Sequence, residues 1–122
     1  MKKIMIADDE KEALDILEKK LKQNNYYVKA VMTGKDLIQT AKSDKPDLIL
    51  LDIIMPDMDG YTVAVTLKED KLLQDIPIIF ITGKELVPKG IEERISQLGV
   101  YDYIMKPCRF QDILAKIKAV VG

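Results

Sequence analysis

Acidic side chains follow two short apolar segments of this sequence, at the point where each segment ends. The aliphatic run Leu48–Asp52 stops at Asp52, and the first apolar run, Lys3–Ala7, is followed by Asp8 and Asp9. A short aliphatic run bounded by polar residues is typical of a strand buried on both faces of a parallel sheet. Ligands bind beyond the carboxyl ends of such strands, so carboxylates placed there predict a metal-assisted site.

The bulk composition excludes several classes of function. At 122 residues the sequence is expected to form a single domain, residues 1–122, with a substantial core. Its 19 basic and 20 acidic residues nearly cancel, so a broad nucleic-acid or membrane-surface footprint is not expected. No apolar run approaches the ~18 residues of a transmembrane helix. The absence of histidine excludes a histidine-based triad or metal site, and the single Cys108 fits a reducing cytoplasm.

Strand-like and helix-like patterns alternate along the whole sequence. Short apolar runs predict strands at residues 4–7, 27–31, 48–52, 78–81 and 102–105. Helical spacing of apolar residues predicts helices near residues 10–21, 33–41, 60–71, 91–98 and from 111 onward. Pro88 and Gly90 interrupt the helical pattern, so the fourth helix is predicted to begin only after them. In the last helix, Leu114, Ile117 and Val121 are predicted to face the core.

The alternation predicts an α/β fold, a doubly wound five-stranded parallel sheet with helices on both faces. Among the common strand orders, 2-1-3-4-5 places the first and third strands side by side. That order would bring Asp8, Asp9 and Asp52 together although they are far apart in the sequence. The predicted topology therefore supports one shared acidic site.

Polar residues also stand at the ends of the fourth and fifth predicted strands. Thr82 follows the fourth, while Tyr103 and Lys106, the latter before Pro107, belong to the fifth. Together with the acidic motifs, these residues resemble the receiver domain of two-component response regulators, in its chemotaxis-type, single-domain form. The likeness covers the whole chain, with four separated motifs in matching order and approximate spacing. It implies the flavodoxin-like receiver fold.

The resemblance implies that Asp52 is a phosphoacceptor. Asp52 would take a phosphoryl group from a phosphohistidine on a sensor histidine kinase or a phosphotransfer protein. Asp9 and Asp52 would bind Mg²⁺, or alternatively Mn²⁺, directly. Asp8 would act through water, and the backbone carbonyl of Ile54 would complete the protein ligands. The chemistry agrees, because a hard divalent cation relieves the repulsion among clustered carboxylates and can bridge to phosphate.

The same resemblance assigns roles to the residues of the last two strands. Lys106 would pair with one phosphoryl oxygen, and the Thr82 hydroxyl would hydrogen-bond to another. Tyr103 would be the aromatic switch, turning inward as Thr82 moves. Neutralising the equatorial oxygens in this way is what phosphoryl transfer requires. The peptide bond between Lys106 and Pro107 is expected to be cis, as is typical of the family.

The implied function is that of a cytoplasmic signalling switch that catalyses only its own phosphorylation and dephosphorylation. Its output would be a change of surface, read by an unknown downstream protein or by a missing output domain. No direct contact with nucleic acid or membrane is expected. The protein would be a monomer or a phosphorylation-linked dimer.

Positions beside the implied phosphorylation site are unusual for a receiver. Ile54, two residues after Asp52, is apolar, and Lys84, two residues after Thr82, is basic. A bulky apolar Ile54 cannot orient an attacking water, and Lys84 could pair with the phosphoryl group. We therefore expect slow self-dephosphorylation. Gly83 is small and would leave room for the movement of Thr82.

Other functions are compatible with parts of this pattern. The main alternative is a phosphorylation-independent protein-interaction module, although the intact set of polar residues argues against it. A hydrolase with an aspartyl-phosphate intermediate is disfavoured because the sequence has no cap insertion. A flavodoxin-like electron carrier is disfavoured because this sequence has no phosphate-cradling loop. Taken alone, Asp8, Asp9 and Glu10 could also be only the acidic cap of a helix.

Overall fold

The computed structural model describes residues 1–83 and 90–122, in which strands and helices alternate. The strands are β1 (Lys3–Ala7), β2 (Tyr27–Val31), β3 (Leu48–Asp52), β4 (Ile78–Gly83) and β5 (Asp102–Lys106). The helices are α1 (Lys11–Gln23), α2 (Gly34–Ser43), α3 (Gly60–Glu69), α4 (Ile91–Leu98) and α5 (Phe110–Val121). The expectations about Lys84 and Pro88 lie outside the described residues.

The five strands form one parallel sheet in the order β2-β1-β3-β4-β5, which confirms the predicted topology. In the register, Ala7 lies opposite Leu51, and Asp52 lies opposite Ile81. Gly83 at the end of β4 lies opposite Lys106 at the end of β5. The carboxyl ends of the central strands therefore meet at one edge of the sheet. The fold is the flavodoxin-like receiver architecture expected from the sequence.

Each face of the sheet is covered by its own layer of helices. The strand side chains alternate between the layers, as the pleat requires. In β3, Ile49 and Leu51 pack with α2, α3 and α4, whereas Leu48 and Leu50 pack with α1 and α5. Because β3 is buried on both faces, its sequence is continuously apolar up to Asp52. None of the helices in the described ranges combines the length and apolar character needed to cross a membrane.

Side-chain hydrogen bonds to the backbone explain where α2 begins and where α3 ends. The Thr33 hydroxyl accepts the Asp36 N–H at the start of α2, at 3.1 Å. The third helix ends at Glu69, earlier than its predicted end. There the Asp70 carboxylate accepts the Leu72 N–H at 2.8 Å and offers the backbone an alternative to the helix.

The core-facing side of α5 contains the predicted residues and one more. Ile117 is buried as expected, and Ile113, four residues earlier on the same face, is also buried. Leu114 and Val121, which are predicted to face the core, are half-buried and pack against the same cluster. The apolar residues of this helix cover more than one face, so spacing alone did not identify the central stripe.

Gly60 closes the loop between β3 and α3. Its N–H donates to the Ile53 carbonyl at 2.6 Å. A Cβ at this position would lie 2.7 Å from Ile53 Cα and 2.9 Å from the Asp52 carbonyl oxygen. Both obstacles are backbone atoms, which cannot swing aside, so only glycine allows this close approach.

We predict that Gly60→Ala lowers the free energy of unfolding by about 1–3 kcal/mol, the usual range for overpacking a well-packed site. Urea denaturation measures the change. Gly90→Ala is the comparison, because Gly90 has a positive φ of 79°, and no atom of the described residues lies within 4 Å of an added Cβ. Gly90→Ala thus measures the separate cost of alanine at a positive φ. An unchanged free energy of unfolding for Gly60→Ala would show that the close approach at Gly60 carries no penalty.

Candidate functional site

Three carboxylates from two strand ends meet at the carboxyl edge of the sheet. Asp8 follows β1 and Asp52 ends β3, and each residue is only 7 % exposed. Asp9 is exposed beside them. One carboxylate oxygen from each of the three lies within 4.8 Å of the others. The structure thus brings together the acidic residues that the sequence singled out.

Lys106 links the two buried carboxylates. Its Nζ lies 2.7 Å from Asp8 Oδ2 and 3.4 Å from Asp52 Oδ2. Lys106 is far from both acids in the sequence. It reaches them because it ends β5, the edge strand next to β4. The ammonium group reduces the repulsion between the two acids, and it is held tightly by Asp8 and loosely by Asp52.

The charges at this site are strongly coupled. Burial raises the pKa of Asp52, and the nearby Asp8 charge adds to the effect. The Ile54 N–H, which donates to Asp52 Oδ1 at 3.0 Å, and the Lys106 charge oppose this shift without cancelling it. Burial alone would lower the pKa of Lys106, but its bonds and charge interactions with Asp8 and Asp52 raise it. Asp52 is therefore an ionisable group that folding places in an unfavourable environment.

The helix-cap alternative does not account for the acidic pair after β1. The N-cap residue of α1 is Glu10, and its side chain makes no capping hydrogen bond. Asp8 Oδ1 accepts the Glu10 N–H at 3.0 Å, which orders the turn before the helix. Its second oxygen is the one that contacts Lys106. Asp8 is thus oriented into the site by the turn and by the lysine.

The donor atoms suit a hard divalent cation. Mg²⁺ prefers oxygen ligands and is usually held by one or two carboxylates with additional waters. Asp9 is exposed and would give such a cation access to solvent, while the two buried carboxylates supply negative charge. A cation here would favour the charged form of Asp52 and so offset the burial and the Asp8 charge that raise its pKa.

Thr82 on β4 follows Ile81, which lies opposite Asp52, whereas Tyr103 lies on β5 three residues before Lys106. Thr82 is completely buried, and its hydroxyl has no hydrogen-bond partner among the described residues. The Tyr103 hydroxyl donates to Glu92 Oε1 at 3.3 Å, at the exposed start of α4. Tyr103 therefore points away from Thr82 in this conformation. The partner Glu92 was not identified from the sequence, because only the packing of α4 beside β5 brings the two together.

Asp57 is a second residue that sequence reasoning missed. Its Oδ1 accepts the Gly34 N–H and its Oδ2 accepts the Lys35 N–H, both at 2.9 Å. These hydrogen bonds lower the pKa of the Asp57 carboxyl. In the sequence, an aspartate between Pro56 and Gly60 looks like an ordinary turn residue, and nothing nearby reveals a partner in α2.

A comparison with known families identifies the family of this chain. Residues 4–118 match the model of the response regulator receiver domain. The chain belongs to this family. The Lys106–Pro107 peptide bond is cis, as the resemblance implied. Receiver domains generally bind Mg²⁺ at an acidic pocket, and this chain has a cluster of acidic residues, Asp8, Asp9 and Asp52, at the carboxyl edge of its sheet.

One curated relative of this receiver domain is the alkaline phosphatase synthesis transcriptional regulatory protein PhoP of Bacillus subtilis (strain 168). It is 32% identical over 121 residues, which are 98% of this chain and 48% of the relative. The chain thus spans about half the length of the curated relative that it matches.

Solved structures give the same family. The signal receiver domain of a signal transduction histidine kinase from Syntrophus aciditrophicus has a TM-score of 0.88 and 29% identity, covering 99% of this chain and 90% of that one. A CheY-like response regulator receiver domain protein from Methanospirillum hungatei JF-1 has a TM-score of 0.89 and 29% identity, covering 98% and 92%.

We predict that Asp52→Asn stabilises the receiver domain at pH 7 in the presence of EDTA, by about 0.5–2 kcal/mol. The pKa of Asp52 is raised from its ordinary 3.8. The folded state therefore holds this proton more tightly than the unfolded state, and stability is lost as the pH rises through the folded pKa.

The difference between Asp52→Asn and wild type should accordingly shrink towards zero as the pH falls to that of the unfolded carboxyl. Urea denaturation across this range measures it, with the exposed Asp75→Asn as the charge-matched control. A less stable Asp52→Asn at pH 7 would mean that the ion pair with Lys106 outweighs the burial of Asp52.

Proposed function

We propose that this receiver domain accepts a phosphoryl group on Asp52 from the phosphohistidine of a sensor histidine kinase or a phosphotransfer protein. The observation that carries the proposal is the convergence of three carboxylates and one ammonium group at the carboxyl edge of the sheet. This arrangement does not stabilise the fold, because it leaves a buried acid, Asp52, with a raised pKa, and such groups cluster at functional sites.

The metal ligands of the proposed site are Asp9, Asp52, the backbone carbonyl of Ile54 and, through water, Asp8. Mg²⁺, or Mn²⁺ in its place, would supply positive charge to the phosphoryl oxygens during transfer. Asp9 is exposed, whereas Asp8 and Asp52 are buried, so a cation would be approached from the solvent side.

In the transfer itself, a carboxylate oxygen of Asp52 attacks phosphorus while the bond from phosphorus to the donor imidazole breaks. The Ile54 N–H holds Asp52 Oδ1 at 3.0 Å, which leaves Oδ2 as the attacking atom. Lys106 lies 3.4 Å from Oδ2 and needs only a small movement to pair with an oxygen of the incoming group. The acid must be ionised to react, which neutral pH and the nearby lysine favour.

The proposed switch uses two side chains that this conformation leaves unsatisfied or turned away. The buried Thr82 hydroxyl makes no hydrogen bond within the described part of the chain, so a phosphoryl oxygen would give it a partner. Tyr103 would then leave Glu92 and turn inward as Thr82 moves. The change would alter the surface near α4 and β5, where a downstream protein or a missing output domain would read it.

The remaining parts of the proposal concern the setting of this domain. We propose that residues 1–122 form one receiver domain that acts in the cytoplasm, as a monomer or a phosphorylation-linked dimer. It would contact proteins and not nucleic acid or membrane directly. Any transcriptional output would come from a segment equivalent to the other half of the Bacillus relative, whose name describes a transcriptional regulator.

We expect one phosphoryl adduct per chain when wild type is incubated with acetyl phosphate and Mg²⁺, as measured by intact mass. Asp52→Ala should remain unmodified, because the accepting oxygen is gone. Asp75→Asn should be modified like wild type, since Asp75 is an exposed acid away from the cluster. The adduct should disappear when EDTA replaces Mg²⁺.

A folded wild type that binds Mg²⁺ but forms no adduct with acetyl phosphate or a phosphohistidine donor would support the main alternative. The domain would then be a phosphorylation-independent interaction module on the receiver fold.

The side chain of Ile54 generates a separate prediction about the lifetime of the phosphorylated state. It is 46% exposed and follows Asp52 by two residues, so the position near the accepting carboxylate is apolar. Ile54→Asn should shorten the half-life of phosphorylated Asp52 by roughly tenfold, because a polar side chain there can orient the attacking water. The similar role predicted for Lys84 stays a prediction.

Decay of the adduct, followed by intact mass after removal of acetyl phosphate, measures this half-life. Val65→Asn is the matched control, since Val65 is an apolar residue of α3 that is 39% exposed. A wild-type adduct that decays as fast as that of Ile54→Asn would contradict the role assigned to Ile54.

A further inference from the structure

The loop from Asp52 to Gly60 carries the backbone that the proposed metal site needs, and its two ends are fixed by local contacts. At its start, the Ile54 N–H donates to Asp52 Oδ1 at 3.0 Å. At its end, the Gly60 N–H donates to the Ile53 carbonyl at 2.6 Å. Both contacts join residues of the loop to each other. They define its shape, and the Ile53 N–H fixes its start to β4 by donating to the Ile81 carbonyl at 3.3 Å.

Asp57 connects the middle of this loop to a different helix. Both of its carboxylate oxygens accept backbone N–H groups from the first turn of α2, those of Gly34 and Lys35, at 2.9 Å each. Thr33 already caps the next N–H, that of Asp36. The carboxylate therefore takes two donors that α2 itself cannot satisfy, at the helix end where the dipole favours negative charge.

The interface around this link is closely packed. A Cβ at Gly34 would lie 2.6 Å from Cγ of Met58 and 2.8 Å from Cγ2 of Val63. Gly34 thus lets the residue after Asp57 pack directly on the start of α2. Loop and helix are matched in shape as well as in hydrogen bonding, so a displacement of one requires a displacement of the other.

The link continues to the acidic residues on the other side of the site. Val31, three residues before Gly34, accepts the backbone N–H of Asp8 through its carbonyl at 3.2 Å. A short path of hydrogen bonds and chain therefore runs from Asp8 to Val31, through the start of α2, to Asp57 and its loop. It connects the two parts of the chain that are proposed to share one cation.

We propose that Asp57 is a positioning residue of the metal site, which holds the loop bearing the Ile54 carbonyl in place relative to Asp8 and Asp9. This inference rests on the proposed function, because it assumes that the cluster binds Mg²⁺. Asp57 itself does not ligate the cation. Both of its oxygens are occupied by the amides of α2.

Isothermal titration with Mg²⁺ alone tests the proposal without any phosphoryl transfer. Asp57→Ala should raise the dissociation constant about tenfold, the lower end of what loss of an outer-shell partner usually does. Asp57→Asn keeps one acceptor oxygen and should fall between Asp57→Ala and wild type.

Two control variants distinguish the loss of the contact between Asp57 and α2 from a loss of charge and from a loss of a helix cap. Asp59→Ala removes the same charge from the same loop, but Asp59 caps only α3, by accepting the Thr62 N–H at 2.8 Å. Thr33→Ala removes a cap of α2 without touching the loop. Both should bind Mg²⁺ within about twofold of wild type, because neither breaks the path between loop and acids.

Equal dissociation constants for Asp57→Ala and Asp59→Ala would overturn the proposal, since loss of charge would then explain both. If Asp57→Ala does not fold, Asp57→Asn against Asp59→Asn gives the same comparison. A wild type that binds no Mg²⁺ would refute the proposed metal site itself. A wild type that binds Mg²⁺ while the Asp57 variants bind equally well would refute only the role of Asp57.

Discussion

Electrostatic repulsion at the carboxyl edge of the sheet is the constraint on which the rest of the site depends. Parallel strands deliver Asp8, Asp9 and Asp52 to one place, where their charges repel one another and burial disfavours the charge of Asp52. The fold compensates only in part. Lys106 holds Asp8 closely and Asp52 loosely, and the pKa of Asp52 stays raised. This incomplete compensation favours the binding of further positive charge at this edge, which a divalent cation would provide.

The surrounding loops are rigid where the chemistry needs fixed positions. Gly60 lets the loop after β3 close on its own backbone, and Asp57 fixes that loop to the start of α2. By contrast, Thr82 and Tyr103 have contacts that are easy to exchange. The Thr82 hydroxyl is unpaired within the described residues, and the Tyr103 bond to Glu92 is long and exposed. The loop beside Asp52 is thus held in place, whereas Thr82 and Tyr103 have contacts that can change.

Much of this arrangement could be predicted from the sequence, because it follows from local patterns. The continuous apolar run ending at Asp52 identified a buried strand, and the alternation of elements predicted a doubly wound sheet, for which the observed strand order is a common one. Ile113 was missed because several faces of α5 are apolar. Asp57 was missed for a different reason. Its partners are backbone amides of another helix, and backbone amides leave no signature in a sequence.

The alternation of side chains along the strands has a consequence for how a signal could spread. Asp52 follows Leu48 and Leu50 in the pleat and so belongs to the side covered by α1 and α5. Thr82 follows Ile78 and Phe80 and belongs to the side covered by α2, α3 and α4. A group bonded to both would tie the two helical layers together across the top of the sheet. One small chemical event would then be felt on opposite surfaces of the molecule.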